Sequence, residues 1–139
     1  PNPIRYRTGD MRNFAVSQRY GLVTARQVIS SLDDPAAQFR QLSRYLTPGG
    51  RVLFVDVFCT RESWLGGLTG QALKEREQVL ARLPLATVNS VEPALDALKS
   101  AGFVHADAGF LDDVNRVYGV EPAAPGCRYF VTARAPRVG

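Results

Sequence analysis

The sequence predicts an α/β fold with a mostly parallel sheet and an antiparallel C-terminal strand. Two short, largely apolar runs read as strands: Tyr20–Ala25, with the composition of a strand buried on both faces, and Arg51–Phe58, the strongest strand in the sequence. Between them lies a segment with clear helix start and stop signals, and a strand-helix-strand order requires a crossover that leaves its two strands parallel. Towards the C-terminus, Phe103–Ala108 and Cys127–Ala133 read as two further strands joined by a loop, the arrangement that commonly ends such a sheet antiparallel.

Taken in order, Ile4–Thr8 alternates apolar and basic residues and reads as a strand ended by Gly9-Asp10. After Tyr20–Ala25, Val28 and Ile29 lead into a turn at Ser30-Ser31. Asp33 or Asp34 can accept the free N–H groups of a first helical turn, and Pro35 suits the first helical position. Ala36, Phe39, Leu42 and Leu46 recur at helical spacing. Pro48 stops that helix, and Gly49 or Gly50 supplies the turn into Arg51–Phe58. From Cys59 to Gly70 the glycines suggest a mobile connection, followed by a helix over roughly Gln71–Leu83. A helix from Asn89 or Ser90 carries Val91, Ala94, Leu95, Leu98 and Ala101 on one face and ends at Gly102. Residues 121–126 are turn-rich.

The chain has 139 residues, enough for one domain, with 45% hydrophobic and 22% charged residues. Its net charge of +4 is concentrated. Arg5, Arg7, Arg12, Arg19 and Arg26 face only Asp10 in the first 26 residues, and the remainder is neutral. Without a lysine-rich tail or a basic stripe interleaved with aromatics, no nucleic-acid partner is expected. No apolar run is long enough to span a bilayer, and Pro1–Arg5 lacks signal-peptide features, so a cytoplasmic protein without a membrane partner is expected. Cys59 and Cys127 form neither a disulfide framework nor a metal-site spacing, and no metal is expected. His105, in a predicted strand with no nucleophile placed by motif, reads as structural.

Several segments together resemble class I S-adenosylmethionine-dependent methyltransferases. They are Gly9-Asp10-Met11-Arg12-Asn13-Phe14, the strand around Leu22-Val23, Val28–Asp34, Leu46-Thr47-Pro48-Gly49-Gly50-Arg51-Val52 and Leu98–Phe103, in that order. The Gly-Asp-Met-Arg run, the Pro-Gly-Gly turn and the spacing from Asn89–Glu92 to Ala101–His105 are also similar to the carboxy-S-adenosylmethionine synthase type. The segment between Trp64 and Glu77 is shorter than in that type and matches poorly.

The resemblance implies a partial Rossmann-like methyltransferase fold, residues 1–139 forming a single truncated domain that starts at the family's third strand. The glycine-rich loop that holds the cofactor has no counterpart, since no two of the 12 glycines stand two positions apart. The acidic residue that ends the second strand in the family is also missing. S-adenosylmethionine is therefore the implied cofactor, with an incomplete site in this chain alone.

Asp10 and Met11 match positions beside adenine, where a carboxylate accepts the exocyclic amine and a thioether packs on the ring. Their alternative is that Asp10 ends a strand and Met11 fills the core. Ala25, Arg26 and Gln27 match the end of the fourth strand, near the methionine part of the cofactor. Arg26 is unusual there: it meets an anionic substrate or a carboxylated cofactor, or it is solvated. Gly21 replaces a usual aspartate and Ser31 a frequent histidine. Cys59, at the C-terminal end of the central strand, and Trp64 are candidate substrate-pocket residues, with a buried thiol as the alternative for Cys59.

In the family's sheet the fourth strand lies between the first and the fifth. Without the first strand, the edge of Tyr20–Ala25 is bare. The resemblance thus implies that Ile4–Thr8 folds back, that a homodimer forms by swapping, or that a complementary chain covers the edge. Three functions follow: a small-molecule methyltransferase missing its first half, a repurposed enzyme with a cofactor-independent step such as cyclisation, or a non-catalytic scaffold subunit.

Overall fold

The computed structural model describes residues 3–137. Pro1 and Asn2, which open the stretch read for a signal peptide, lie outside the described residues, as do positions 138 and 139. Four strands form one sheet: β1 (Tyr20–Arg26), β2 (Leu46–Val57), β3 (Val104–Phe110) and β4 (Arg128–Arg134), in the spatial order β1-β2-β4-β3. β1 pairs parallel to β2, and β4 pairs antiparallel to both β2 and β3. Three strands thus point one way, and the reversed C-terminal strand sits between two of them.

Helix α1 (Pro35–Ser43) joins β1 to β2. Its cap is as expected: Asp34 accepts the Ala37 N–H at 3.1 Å, with Pro35 in the first turn. The helix stops at Ser43, earlier than the apolar spacing suggested, and Leu46 begins β2 instead. The chain then bulges through residues 47–50 before regular pairing resumes at Leu22 and Arg51. Gly50 makes this possible, because a Cβ there would lie 2.8 Å from the Thr47 carbonyl oxygen and 3.1 Å from that of Tyr20.

Three other expectations are corrected. Tyr20–Ala25 is not buried on both faces: β1 is an edge strand in which Tyr20, Gly21, Leu22 and Thr24 are exposed and only Val23 and Ala25 are half-buried, because no strand among the described residues pairs with its outer side. Ile4–Thr8 forms no strand; it runs as exposed irregular chain, and its alternation has no neighbouring strand to pair with. The 59–70 connection contains α2 (Arg61–Leu65), closed by a capping box in which Thr60 and Ser63 satisfy each other's backbone N–H groups. Helix α3 (Gly70–Leu80) follows, tied to α2 by an Arg61–Glu77 ion pair at 2.7 Å. Helix α4 (Glu92–Ser100) packs against α1, β3 and β4.

The core lies on one face of the sheet. Val52 and Phe54 of β2 and Tyr129, Val131 and Ala133 of β4 meet Phe39 and Leu42 of α1 and Ala94 and Leu98 of α4. Phe39 and Phe54 contact at 5.2 Å between ring centroids, and Phe58 stacks on Tyr129 at 4.5 Å. Helix α5 (Asp112–Val117) adjoins β4 through the buried Asn115. No helix among the described residues is long and apolar enough to cross a membrane.

Candidate functional site

β1 ends where the chain turns sharply. Gln27 takes a left-handed conformation (φ 53°) while its N–H still bonds the Val55 carbonyl at 2.8 Å. A one-turn 3-10 helix, Ile29–Ser31, follows at once. Its position is fixed by Asp56, a carboxylate 1% exposed at the C-terminal end of β2. One Asp56 oxygen accepts the N–H groups of Ile29 (2.9 Å) and Ser30 (3.4 Å), and the other accepts that of Val57 (2.7 Å). Burial pushes the Asp56 carboxyl above its ordinary range, and these three N–H groups pull in the opposite direction.

The turn so anchored forms one wall of a cleft of about 420 Å³. Residues 10–12 form a second wall and the end of α3 with the turn after it a third. Asp10, Met11, Gln27, Leu32, Gln38 and Arg82 all line it. Met11 also packs against the core. Asp10 is closely held by Arg12: the guanidinium Nε lies 3.0 Å from each carboxylate oxygen, and the Arg12 N–H bonds Oδ1 at 2.9 Å. This pairing holds the Asp10 carboxyl down to about 2.

Three of the expected residues, Asp10, Met11 and Gln27, therefore meet in one cleft. Ala25 and Arg26 do not line it. Ala25 packs towards the core, and Arg26, one step along the strand, belongs to the opposite face of the sheet and is exposed. Cys59 lies beyond β2 and is half-buried; burial and the Asp56 carboxylate push its thiol up, so it stays protonated at neutral pH. Trp64 is a strut: its Nε1–H donates to the Ala86 carbonyl at 2.9 Å and ties α2 to the residues before α4. His105 is exposed on β3 with φ 51°, in an irregularity between Val104 and Asp107.

Sequence reasoning missed Asp56 as an organiser, although a single carboxylate inside an apolar strand was its signal. It also missed Val79, Arg82 and Leu83, which reach the cleft only through the packing of α3. Among the described residues, no group of histidine, cysteine, aspartate and glutamate is arranged to hold a metal ion.

A comparison with protein families matches residues 5–102 to the family described as a methyltransferase domain. The chain belongs to that methyltransferase domain family. No curated protein matches it in sequence. Among solved structures, it is similar to Haemonchus contortus phosphoethanolamine N-methyltransferase 2 in complex with S-adenosyl-L-methionine, with TM-score 0.57 and 15% identity over 91% of this chain and 36% of that one. It is similar to a putative sarcosine dimethylglycine methyltransferase from Galdieria sulphuraria, with TM-score 0.58 and 13% identity over 93% and 58% of the two chains. It is also similar to the [4+2]-cyclase SpnF, with TM-score 0.57 and 18% identity over 92% and 54%.

These likenesses establish a partial Rossmann-like methyltransferase fold, as the motif order implied. The chain spans 36–58% of the length of those three structures.

Proposed function

We propose that this methyltransferase domain contributes the adenine end of an S-adenosylmethionine site in a protein acting on a small molecule, the rest of the site being completed by residues outside this chain. One observation supports this above the others: the adjacent Asp10 and Met11 and the distant Gln27 line one cleft. The residues fit that part of the cofactor. Met11, Val28 and Leu32 offer an apolar surface to a flat ring and Asp10 and Gln38 offer polar groups at its edge, while Gln27, matched to the methionine end of the cofactor, lines the same cleft. They do not fit the rest, because no glycine is among the residues that line the cleft.

When bound, S-adenosylmethionine supplies an electrophilic methyl group on a sulfonium. The contribution of this chain is binding and orientation. Asp10 stays ionised and held by Arg12, presenting a fixed acceptor. Asp56 fixes the Ile29–Ser31 turn and so the wall carrying Val28, Ser31 and Leu32. A complementary chain pairing with the open edge of β1 would bring the rest of the site alongside.

A second reading, a cofactor-independent conversion of a small molecule, is favoured by the Asp10–Arg12 pairing, which already engages both carboxylate oxygens. The likeness to a structure described as a cyclase is compatible with it. Calorimetry separates the two. On the first reading S-adenosylmethionine binds weakly, and Met11→Ala together with Asp10→Asn weakens binding by about tenfold or more. Absence of heat, both for the chain and for the chain with any complementary partner, sinks the first reading.

A further inference from the structure

Helix α1 gives one residue to the cleft, Gln38, and it differs from the other polar groups there. Asp10, Arg12, Gln27, Ser31, Asp33 and Arg82 are all exposed, and none is held in place by burial. Gln38 is 8% exposed, and its own N–H bonds the Asp34 carbonyl at 2.9 Å. It is the fixed polar group of the cleft.

The two ends of its side-chain amide are not equivalent. Oε1 accepts the Asp34 N–H at 3.2 Å, a donor it shares with the Asp33 carboxylate at 3.0 Å. This sets the orientation, since a flipped amide would turn its own N–H groups against that of Asp34. Nε2 therefore points the other way. It has no partner among the described residues, yet it is not sealed in the interior, and it opens on the cleft that Gln38 lines. A buried donor left unpaired is costly, and here the acceptor is left for the occupant of the cleft to supply.

We propose that Gln38 determines specificity in this cleft, its Nε2 donating one hydrogen bond to a ring nitrogen of the bound purine. The inference rests on the adenine reading above and adds a requirement to it: the ligand presents an acceptor towards α1 as well as an amine towards Asp10. An adenine ring carries both on one flat body. Because the donor is buried and fixed, a ring with C–H in place of that nitrogen leaves it unpaired, and the penalty falls on the wrong ligand.

The test titrates the full chain with adenosine and with the three deaza analogues in which N1, N3 or N7 of the ring becomes C–H. Heteronuclear NMR gives the affinities and follows the Gln38 side-chain amide, assigned by its disappearance in Gln38→Met. One of the analogues should bind the native chain about tenfold more weakly than adenosine, and adenosine should shift the Gln38 amide resonances. In Gln38→Met that analogue and adenosine should bind equally. A merely structural role would instead weaken every ligand alike and leave the difference between them in place. Where circular dichroism shows that Gln38→Met does not fold, Gln38→Glu keeps an acceptor for the Asp34 N–H and removes the donor. Equal binding of adenosine and all three analogues to the native chain, or a deaza penalty that persists in the variant, overturns the role of Gln38 and leaves the adenine site standing. Failure of adenosine to bind the native chain overturns both.

Discussion

The Asp56 carboxylate accepts the backbone N–H of Ile29 across 2.9 Å, joining the C-terminal end of β2 to the turn that follows β1. This bond replaces strand pairing at the point where β1 stops and the chain swings towards the cleft. Without an acceptor there, the N–H groups of Ile29 and Ser30 would be left with no partner in the interior.

Replacing Asp56 tests this anchor and its pH dependence together. Asp56→Asn should cost about 1–3 kcal/mol, because an amide turns one N–H donor towards backbone donors. Burial raises the native carboxyl above its ordinary 3.8, so the folded chain keeps that proton to higher pH than the unfolded chain. The native protein should therefore lose stability as pH climbs from 3.8 through the raised value. The variant carries no such group, and the gap between the two should narrow over that window. Urea unfolding at a series of pH values measures it; a constant gap would show that Asp56 does not titrate as described.

Asp10 behaves in the opposite sense. Arg12 holds its carboxyl at about 2, so the pairing is complete above the ordinary 3.8 and is lost as pH falls from there through about 2. In Arg12→Ala the Asp10 carboxyl should return towards 3.8, as followed by carbon NMR of the side chain. Both groups are exposed, and thermal stability should barely change. A carboxyl that stays near 2 in the variant would mean that Arg12 is not the cause.

Asn115 is the joint between α5 and β4. Its side-chain amide donates to the Arg128 carbonyl at 2.9 Å and accepts the Arg128 N–H at 2.7 Å, as a neighbouring strand would. Asn115→Ala should destabilise the domain by roughly 1–3 kcal/mol, since the Arg128 N–H loses its acceptor while the Arg128 carbonyl keeps only the Leu111 N–H, at 3.0 Å. Hydrogen exchange at the Arg128 amide reports it directly: protection equal to that of the native chain would disprove the joint.

Gly50→Ala should cost about 1–3 kcal/mol, because the new methyl presses on the Thr47 and Tyr20 carbonyls that the bulge brings together. Gly21→Ala serves as the control, as a Cβ there meets nothing within 4 Å. Equal melting temperatures for the two variants would refute the steric account.

The elements legible in the sequence were those with a patterned composition, whether they reach the core, as α1, β2, α4 and β4 do, or lie at the sheet's edges without a fully buried residue, as β1 and β3 do. β1, α1, β2, α4, β3 and β4 all carry apolar residues at the period of their structure, and α1 carries its own cap in Asp34 and Pro35. Helices α2 and α5 were not legible, since they are one or two turns long and stand on caps and on Asn115 rather than on an apolar stripe. Ile4–Thr8 misled for the converse reason: alternation marks a strand only where a neighbour is available. Within the cleft, Asp10, Met11 and Gln27 were found through motif order. Arg82 and Leu83 were not, because the packing that brings them there leaves no local pattern.

The place of β4 also has a consequence in time. It is the last of the four strands to be synthesised, yet it pairs with two of the other three. Until Arg128–Arg134 has left the ribosome, β3 has no partner and β2 only β1. Helices α1 and α4 then have no complete floor to rest on. The nascent chain gains most of its order in one late step, after a long interval of non-local waiting. A premature stop before residue 128 would therefore remove the centre of the sheet rather than trim its margin.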